Sequence, residues 1–136
     1  MPVTANSIIT PQAVRSANAV CTAAKTTYGD STNAVKLLTP GANGSVLYGL
    51  KALPRATVTA TQLQLYRSPD NGTTMYLINS ALMAAYTMAQ TTAAPVTDFG
   101  YSESTPLRVN SADTLWVGIG VALAGGIAFD AQVEDL

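Results

Sequence analysis

The sequence predicts an all-β fold, an antiparallel β-sandwich of jelly-roll-like character with about eight or nine short strands. Two observations support this class. Apolar and polar residues alternate with a period of two over many short stretches, and clusters of Gly, Pro, Asn and Asp separate them at roughly the 8–12-residue spacing of sandwich proteins. The chain has 136 residues, the size of one domain, with no internal repeat and no evident linker. We therefore expect one sandwich domain over residues 19–136, preceded by an N-terminal arm over residues 1–18.

The densest alternation lies near the C-terminus. Large apolar residues occupy every second position on both sides of a Gly-containing turn: Leu115, Val117, Ile119 and Val121 precede it, and Ile127, Phe129, Ala131 and Val133 follow it. This pattern predicts a hairpin whose apolar side chains face the core. The residues between them, Trp116 to Ala122, are also uncharged. We therefore expect a second cover on the outer face, formed by the chain's own arm or by another subunit, with Gly118 and Gly120 permitting a close approach.

A membrane segment is the alternative interpretation of this run, because residues 115–129 carry no charge. The run is shorter than the ~20 residues that a spanning helix needs. It also contains four glycines and is flanked by Asp113 and Asp130, features that weaken a helix. We favour the core hairpin and expect no membrane partner.

The remaining strands are predicted from shorter patterns, at residues 19–25, 34–38, 45–55, 57–67, 73–78 and 106–109. Val46, Tyr48 and Leu50 are expected on one face of the third of these, and Pro54 at a strand end or edge because it has no N–H to donate. Ser68–Gly72 is the strongest turn signal and should close a hairpin. Residues 80–89 suit a helix by propensity and a strand by alternation, and we favour a strand. Residues 90–105 are expected to form a long loop.

Composition excludes several functional classes. Charged residues make up 11% of the chain, against about 25% in an ordinary domain. A surface so poor in charge suggests coverage by neighbours in an assembly. The seven basic residues are scattered and the net charge is −1, so direct binding of nucleic acid is not expected. Cys21 is the single cysteine and is expected to be a small buried residue. The N-terminus lacks the pattern of a secretory signal.

The residues also offer little catalytic chemistry. The chain has no histidine, which removes the commonest general base and metal ligand. The acidic residues fall mostly in predicted turns or at strand ends: Asp30, Asp70, Asp98, Glu103, Asp113, Asp130, Glu134 and Asp135. We interpret them as turn-forming and solubilising residues, although a paired-carboxylate site stays formally open. We expect no enzyme activity, no cofactor and no bound metal.

Three stretches carry a resemblance to known proteins: the run from Leu53 to Thr74 (LPRATVTATQLQLYRSPDNGTT), the segment from Ser80 to Gln90 (SALMAAYTMAQ), and Thr97–Ser102. Over roughly residues 9–133 the chain resembles small virion structural proteins of tailed bacteriophages and of proteobacterial prophages. The resemblance implies a subunit that decorates or cements a capsid, or that joins the head–tail or tail structure. It implies the major capsid protein or other virion proteins as partners, a homo-oligomer, and location in the virion after synthesis in the bacterial cytoplasm. No functional residue is carried over with it.

We expect the arm and the loop at residues 90–105 to supply the contacts. The candidate partner-contact residues are Ile8, Ile9, Phe99, Tyr101 and Trp116. Phe99 and Tyr101 lie in the long loop, where aromatic side chains can anchor a protein partner. They equally suit stacking against a sugar ring, so a carbohydrate-binding sandwich displayed on the virion is the alternative function.

Overall fold

The computed structural model describes residues 12–136, and the expectations for residues 1–11, Ile8 and Ile9 included, lie outside the described residues. In the described part the chain forms nine strands and no helix, which confirms the all-β prediction. The strands are β1 (Ala13–Cys21), β2 (Val35–Leu38), β3 (Ser45–Pro54), β4 (Thr61–Ser68), β5 (Tyr76–Met83), β6 (Thr97–Asp98), β7 (Leu107–Val109), β8 (Thr114–Ile119) and β9 (Ile127–Asp135).

The strands form two antiparallel sheets that pack together as a sandwich. Sheet A has the order β1-β9-β3, and the short strands β6 and β7 both pair with the remaining side of β3. Sheet B has the order β2-β8-β4-β5. The core lies between the sheets and includes Leu47, Leu50, Leu63, Leu65, Leu115, Val117, Ile119, Ile127, Phe129 and Val133. Among the described residues, no helix is long and apolar enough to cross a membrane.

The predicted C-terminal hairpin is wrong, although its inward face is largely correct. Strand β8 belongs to sheet B and pairs with β2 and β4, whereas β9 belongs to sheet A and pairs with β1 and β3. Residues 120–126 carry the chain across the ~10 Å that separates two packed sheets. Alternation predicts which residues face the core, but it does not predict which strands pair with β8 and β9. Val121, expected in the core, lies beyond the end of β8 and is exposed.

Strand β1 begins at Ala13 rather than at residue 19, so residues 13–18 of the predicted arm belong to sheet A. They pair with β9 along the whole length of β1, from Ala13 opposite Asp135 to Cys21 opposite Ile127. The inward residues of β1 are small, and its outward face combines polar Ser16 and Asn18 with the exposed valines Val14 and Val20. Small inward residues give a weak alternation signal, which explains why the sequence pattern resembled an arm.

Two other strands show where local patterns mislead. In β3 the buried side chains include Leu47 and Leu50, while Val46 and Tyr48 are only partly buried, because the register shifts between Leu47 and Gly49. Such a bulge changes which residues face the core. Residues 80–83 are the second half of β5, as favoured over a helix, but the strand ends at Met83. Leu82, the first of the alternating apolar residues in that segment, is exposed.

The turn at Ser68–Gly72 is confirmed. It closes the hairpin of β4 and β5, with positive φ at Asn71 (58°) and Gly72 (104°). The Gly72 N–H donates to Ser68 Oγ at 2.7 Å, and the Thr74 N–H donates to Asp70 Oδ1 at 2.7 Å. Pro54 lies at the end of β3, as its missing N–H requires.

Candidate interaction surface

Part of the outer face of sheet B, over β8 and β4, is covered by residues 24–33 of the same chain, here named the cover segment. The Lys25 N–H donates to the Ile119 carbonyl at 2.7 Å, which continues the edge of β8 beyond its pairing with β2. The segment then reaches over β4, where the Tyr28 hydroxyl donates to Gln62 Oε1 at 2.9 Å. Gln64 and Tyr66 are fully buried. The second cover expected from the uncharged face of β8 is therefore the chain's own, although it is not the N-terminal arm.

Lys25 holds the cover segment in place. Its side chain is fully buried, and Nζ donates to the Asp30 carbonyl at 2.5 Å, to the Thr32 carbonyl at 3.2 Å and to Asp30 Oδ1 at 3.3 Å. The ammonium also lies 5.1 Å from the centre of the Tyr66 ring. Burial of an ammonium is costly unless it is paired and hydrogen-bonded. Three oxygens and an aromatic face meet that requirement, so Lys25 acts as a structural residue.

Gly118 makes room for this arrangement. A Cβ at Gly118 would lie 2.8 Å from Gln64 Oε1 and 2.9 Å from Lys25 Cδ. The Tyr66 hydroxyl donates to Gln64 Oε1 at 2.7 Å, and Gln64 Nε2 donates to the Lys25 carbonyl at 3.2 Å. Burial, with a smaller effect of Tyr28 and Asp30, raises the pKa of Tyr66 to about 12. The phenol is therefore neutral at ordinary pH and keeps the proton that it donates.

The single cysteine has no catalytic surroundings. Burial raises the pKa of the Cys21 thiol to about 12, and its Sγ lies 3.5 Å from the Val117 carbonyl oxygen. The reactive form of cysteine is the thiolate, which is not populated at such a pKa. Cys21 is a buried core residue, as the sequence indicates.

Three carboxyl groups have a pKa below the usual range, and local hydrogen bonds explain each one. The Thr27 hydroxyl and the Thr32 N–H lower the pKa of Asp30, and the Thr74 N–H lowers that of Asp70. Burial raises the pKa of Asp135, but hydrogen bonds from Arg15 and Ser45 outweigh it. These carboxylates stabilise turns and strand ends, as the sequence predicts. No group of three or more potential metal ligands occurs within residues 12–136.

A cleft of about 470 Å³ lies between the β2–β3 loop and the β7–β8 turn. Arg108 is its one charged lining side chain within the described residues. Ser45, also at the cleft, donates its hydroxyl to Asp135 Oδ1 at 2.6 Å. That hydroxyl therefore faces a carboxylate that Arg15 also binds, at 2.9 and 3.0 Å. The cleft does not assemble a nucleophile, a base and an oxyanion donor.

The three candidate contact residues that the structure describes, Phe99, Tyr101 and Trp116, do not form one surface. Phe99 is 8% exposed, and its ring packs against Phe129 with 6.2 Å between ring centres. The expectation of a free aromatic ring at Phe99 is therefore wrong, because β6 directs the following residue into the sandwich. Tyr101 is partly buried, and its hydroxyl accepts a hydrogen bond from Asn79 Nδ2 at 3.2 Å. Phe99 and Tyr101 lie beside β5, where β6 of sheet A approaches the edge of sheet B.

Trp116 lies on a different part of the molecule, the outer face of sheet B. Its Nε1–H donates to Thr114 Oγ1 at 2.9 Å, and the Lys36 ammonium lies 5.5 Å from the ring centre. One edge of the indole packs against Gly72, where a Cβ would lie 2.9 Å from the ring. The indole therefore braces the β4–β5 turn, and only part of it faces solvent.

Among the described residues, three of the eight exposed large apolar side chains lie on β5. Tyr76 and Leu82 are 50% and 71% exposed, and Leu77 is also exposed. Leu77 and Leu82 lie on the outer face of sheet B, opposite Tyr66 and Gln62 of β4. Because β5 is at the edge of sheet B, these side chains flank an edge strand. This is the surface that best fits a protein contact.

Comparisons with protein-family models, curated proteins and solved structures gave no match. The function must therefore be argued from the residues and their geometry.

Sequence reasoning missed the two features that dominate the surface. Lys25 lies in a run of Ala and Thr and carries no sequence signal of burial; the one indirect hint is the pair Gly118 and Gly120, which predicts a close approach over β8. The β5 edge was hidden because its residues were divided between two predicted strands. Which strand is at an edge depends on sheet order, which alternation does not encode.

Proposed function

We propose that this chain is a non-enzymatic structural subunit of a tailed-phage virion, which decorates or cements the capsid through protein–protein contacts. The observation that carries the proposal is the distribution of side chains. The carboxylates with lowered pKa stabilise turns and strand ends, whereas large apolar side chains are exposed along β5. Exposed apolar patches mark surfaces that bind other proteins. The low charge of the chain, 11%, supports the same function.

The partners proposed are the major capsid protein or other virion proteins. A stable contact of this kind needs at least about 1,000 Å² of buried surface. The loop at residues 90–105 can contribute through Val96, which is 55% exposed. Residues 1–11 are a second candidate by sequence, whereas residues 13–18 belong to β1 and already pair with β9.

A carbohydrate-binding function is the alternative. Its support is weaker because only one of the two loop aromatic residues, Tyr101, could stack against a sugar. Phe99 packs in the core, so the loop does not offer a free Phe99 ring to a sugar. We therefore place the protein-contact function first. Position at the head–tail joint or in the tail is a further form of the same structural function.

The first test is co-sedimentation of the purified chain with assembled capsids from the same source, followed by heating of the loaded particles. We expect saturable binding and delayed disruption of the shell. Deletion must stop at residue 11, because removal through Asn18 would destroy most of β1. If the loop contacts the shell, Val96→Asp should lower occupancy at least about tenfold, equivalent to about 1.4 kcal/mol. Val121→Asp, at a similarly exposed valine outside the loop, is the control.

A folded chain that binds neither capsids nor tails would overturn the proposal. Binding to tails alone would assign it to the tail form of the function. A glycan array gives the opposing result: specific sugar binding that is lost in Tyr101→Ala would favour the carbohydrate function.

A further inference from the structure

The turn between β4 and β5 contains the peptide bond from Asn71 to Gly72, which is chemically reactive in a flexible chain. The sequence has two such Asn-Gly pairs, Asn71–Gly72 and Asn43–Gly44. Asparagine loses its side-chain amide most readily before glycine, because glycine has no Cβ to hinder attack by its own backbone nitrogen on the asparagine Cγ. Asn71 is exposed in the turn that closes the hairpin, so water reaches its side chain.

Deamidation at this bond needs water and no enzyme. The Gly72 nitrogen gives its proton to water and attacks Asn71 Cγ. The new C–N bond closes a succinimide ring, and the bond from Cγ to Nδ2 breaks to release ammonia. Water then opens the ring to isoaspartate or aspartate, so that an amide and a water molecule become a carboxylate and an ammonium ion. The Gly72 nitrogen is therefore the nucleophile, and a hydrogen bond that holds its proton slows the reaction.

Ser68 holds the Gly72 N–H in the folded chain. The N–H donates to Ser68 Oγ at 2.7 Å, and the Ser68 hydroxyl donates in turn to Asp70 Oδ1 at 2.9 Å. The Asp70 carboxylate thereby takes the hydroxyl proton and leaves an Oγ lone pair directed at Gly72. Hydrogen bonds in such a chain strengthen one another. Ser68 and Gly72 are both buried, so water does not replace this bond while the turn is closed.

Trp116 restricts Gly72 from the other side. The φ of Gly72 is 104°, and a Cβ at this position would lie 2.9 Å from the indole. Attack on Asn71 requires the Gly72 nitrogen to leave Ser68, and the indole leaves the backbone little room to turn. The reaction therefore proceeds through local opening of the turn, and its rate follows the fraction of molecules in which the turn is open.

We propose that Asn71 is a site of spontaneous deamidation and that Ser68 controls its rate, because the reaction proceeds only while the Ser68–Gly72 hydrogen bond is open. The modification places a second carboxylate next to Asp70 in the turn. Isoaspartate also lengthens the main chain by a carbon atom beside Trp116, so the closed turn cannot re-form unchanged. The proposal does not depend on the virion function.

The test is peptide mapping by mass spectrometry after incubation of the full chain at mildly alkaline pH, in buffer and in denaturing urea. In urea, where both turns are lost, Asn71 and Asn43 should deamidate at similar rates. In buffer Asn71 should react at least about tenfold more slowly than in urea. Ser68→Ala should raise the rate at Asn71 in buffer about tenfold, as expected for the loss of a buried hydrogen bond. The rate at Asn43, measured in the same samples, should not change with Ser68→Ala.

Ser45→Ala is the matched control variant. Ser45 is also buried, its Oγ accepts the Gly41 N–H at 2.9 Å, and its hydroxyl donates to Asp135 Oδ1 at 2.6 Å. This substitution removes the same kind of hydrogen bond at a distance from the β4–β5 turn, so it should leave the rate at Asn71 unchanged. Equal acceleration at Asn71 by Ser45→Ala would assign the reaction to global unfolding and would overturn the role of Ser68.

Hydrogen exchange keeps the test decisive if Ser68→Ala folds poorly. In the unmodified chain the Gly72 amide should exchange slowly, and its exchange and the deamidation of Asn71 should rise together in urea below the unfolding transition. A rapidly exchanging Gly72 amide would overturn the proposal. The same holds for an unchanged rate at Asn71 in folded Ser68→Ala, for a folded chain in which Asn71 reacts as fast as in urea, and for a reaction confined to Asn43.

Discussion

The two outer faces of the sandwich are built in opposite ways. On sheet A a polar row crosses four strands, in which Asn18, Asp130, Lys51 and Asp98 stand in register. Asn18 Nδ2 donates to Asp130 Oδ1 at 2.7 Å, and the row faces water apart from partial burial of Asp130. On sheet B the corresponding outward residues Gln64 and Tyr66 are fully buried beneath the cover segment.

The difference shows how two central strands with uncharged residues on both faces, β8 and β4, keep most of their outward residues from water. Sheet A follows the usual rule of an antiparallel sheet, with apolar residues inside and polar residues outside. Sheet B has a third layer, and the central group of that layer is an ammonium rather than an apolar side chain. Lys25 covers Gly118 with its aliphatic stem, while its Nζ binds the loop oxygens above. The two lysines, Lys25 on sheet B and Lys51 on sheet A, therefore have opposite roles.

The largest effect should come from Lys25→Met, which keeps the stem and removes the ammonium. We expect a loss of about 2–3 kcal/mol in the free energy of unfolding, because the Asp30 and Thr32 carbonyls lose a charged donor. Urea denaturation measures it. Lys51→Met is the matched control on sheet A, where an exposed lysine should change stability by no more than about 0.5 kcal/mol. Equal effects of the two substitutions would contradict the structural role of Lys25.

A second pair of substitutions compares the space above each sheet. Gly118→Ala should cost about 1–3 kcal/mol, because the new Cβ would meet Lys25 Cδ at 2.9 Å in a closely packed layer. Gly49→Ala on sheet A should be within about 0.5 kcal/mol of neutral, since its Cβ would lie 3.4 Å from Gln132 Cγ in ordinary contact. Thermal unfolding of both variants tests the comparison. If Gly118→Ala is the milder change, the cover segment does not pack as closely as described.

The smallest effect concerns acid. The folded-state pKa of Asp135 lies below its usual value of 3.8: burial raises it, but hydrogen bonds from Arg15 and Ser45 outweigh that effect. At pH values above 3.8, the lowered pKa contributes to the free energy of unfolding. That contribution is lost as the pH falls below 3.8 and passes through the folded-state pKa. Because the Arg15 side chain is 36% exposed, screening limits the contribution to about 1 kcal/mol or less.

Asp135→Asn removes this titration, so its stability should fall less steeply than that of the unmodified chain as the pH falls below 3.8. Asp130→Asn is the control on the same strand, where the carboxylate binds Asn18 rather than a cation. Unfolding curves at several pH values measure both slopes. An unchanged slope in Asp135→Asn would show that the Arg15–Asp135 pair adds nothing to acid stability.

Sequence reasoning found the parts of the fold that depend on local patterns. Leu115, Val117, Ile127 and Phe129 are all fully or almost fully buried, as their alternation predicts. The turn at Ser68–Gly72 adopts the positive φ that Asn71 and Gly72 allow. Sequence reasoning failed where distant segments compete for the same place in a sheet. It did not predict the partners of β8 and β9, the register shift in β3, or the inclusion of residues 13–18 in sheet A. For the candidate surface it proposed Phe99, which is in the core, and missed β5 and Lys25.

The sequence by itself determined the all-β class, the inward residues of the central strands, the closing turn of β4 and β5, and the lack of histidine-dependent chemistry. These follow from side-chain period, backbone preference and composition, each of which is encoded within a few residues. The tertiary structure alone decided the sheet to which each strand belongs, the burial of Lys25 over Gly118, and the position of uncharged β5 at an edge. The physical reason is that pairing, burial and exposure depend on which remote segment occupies the neighbouring space.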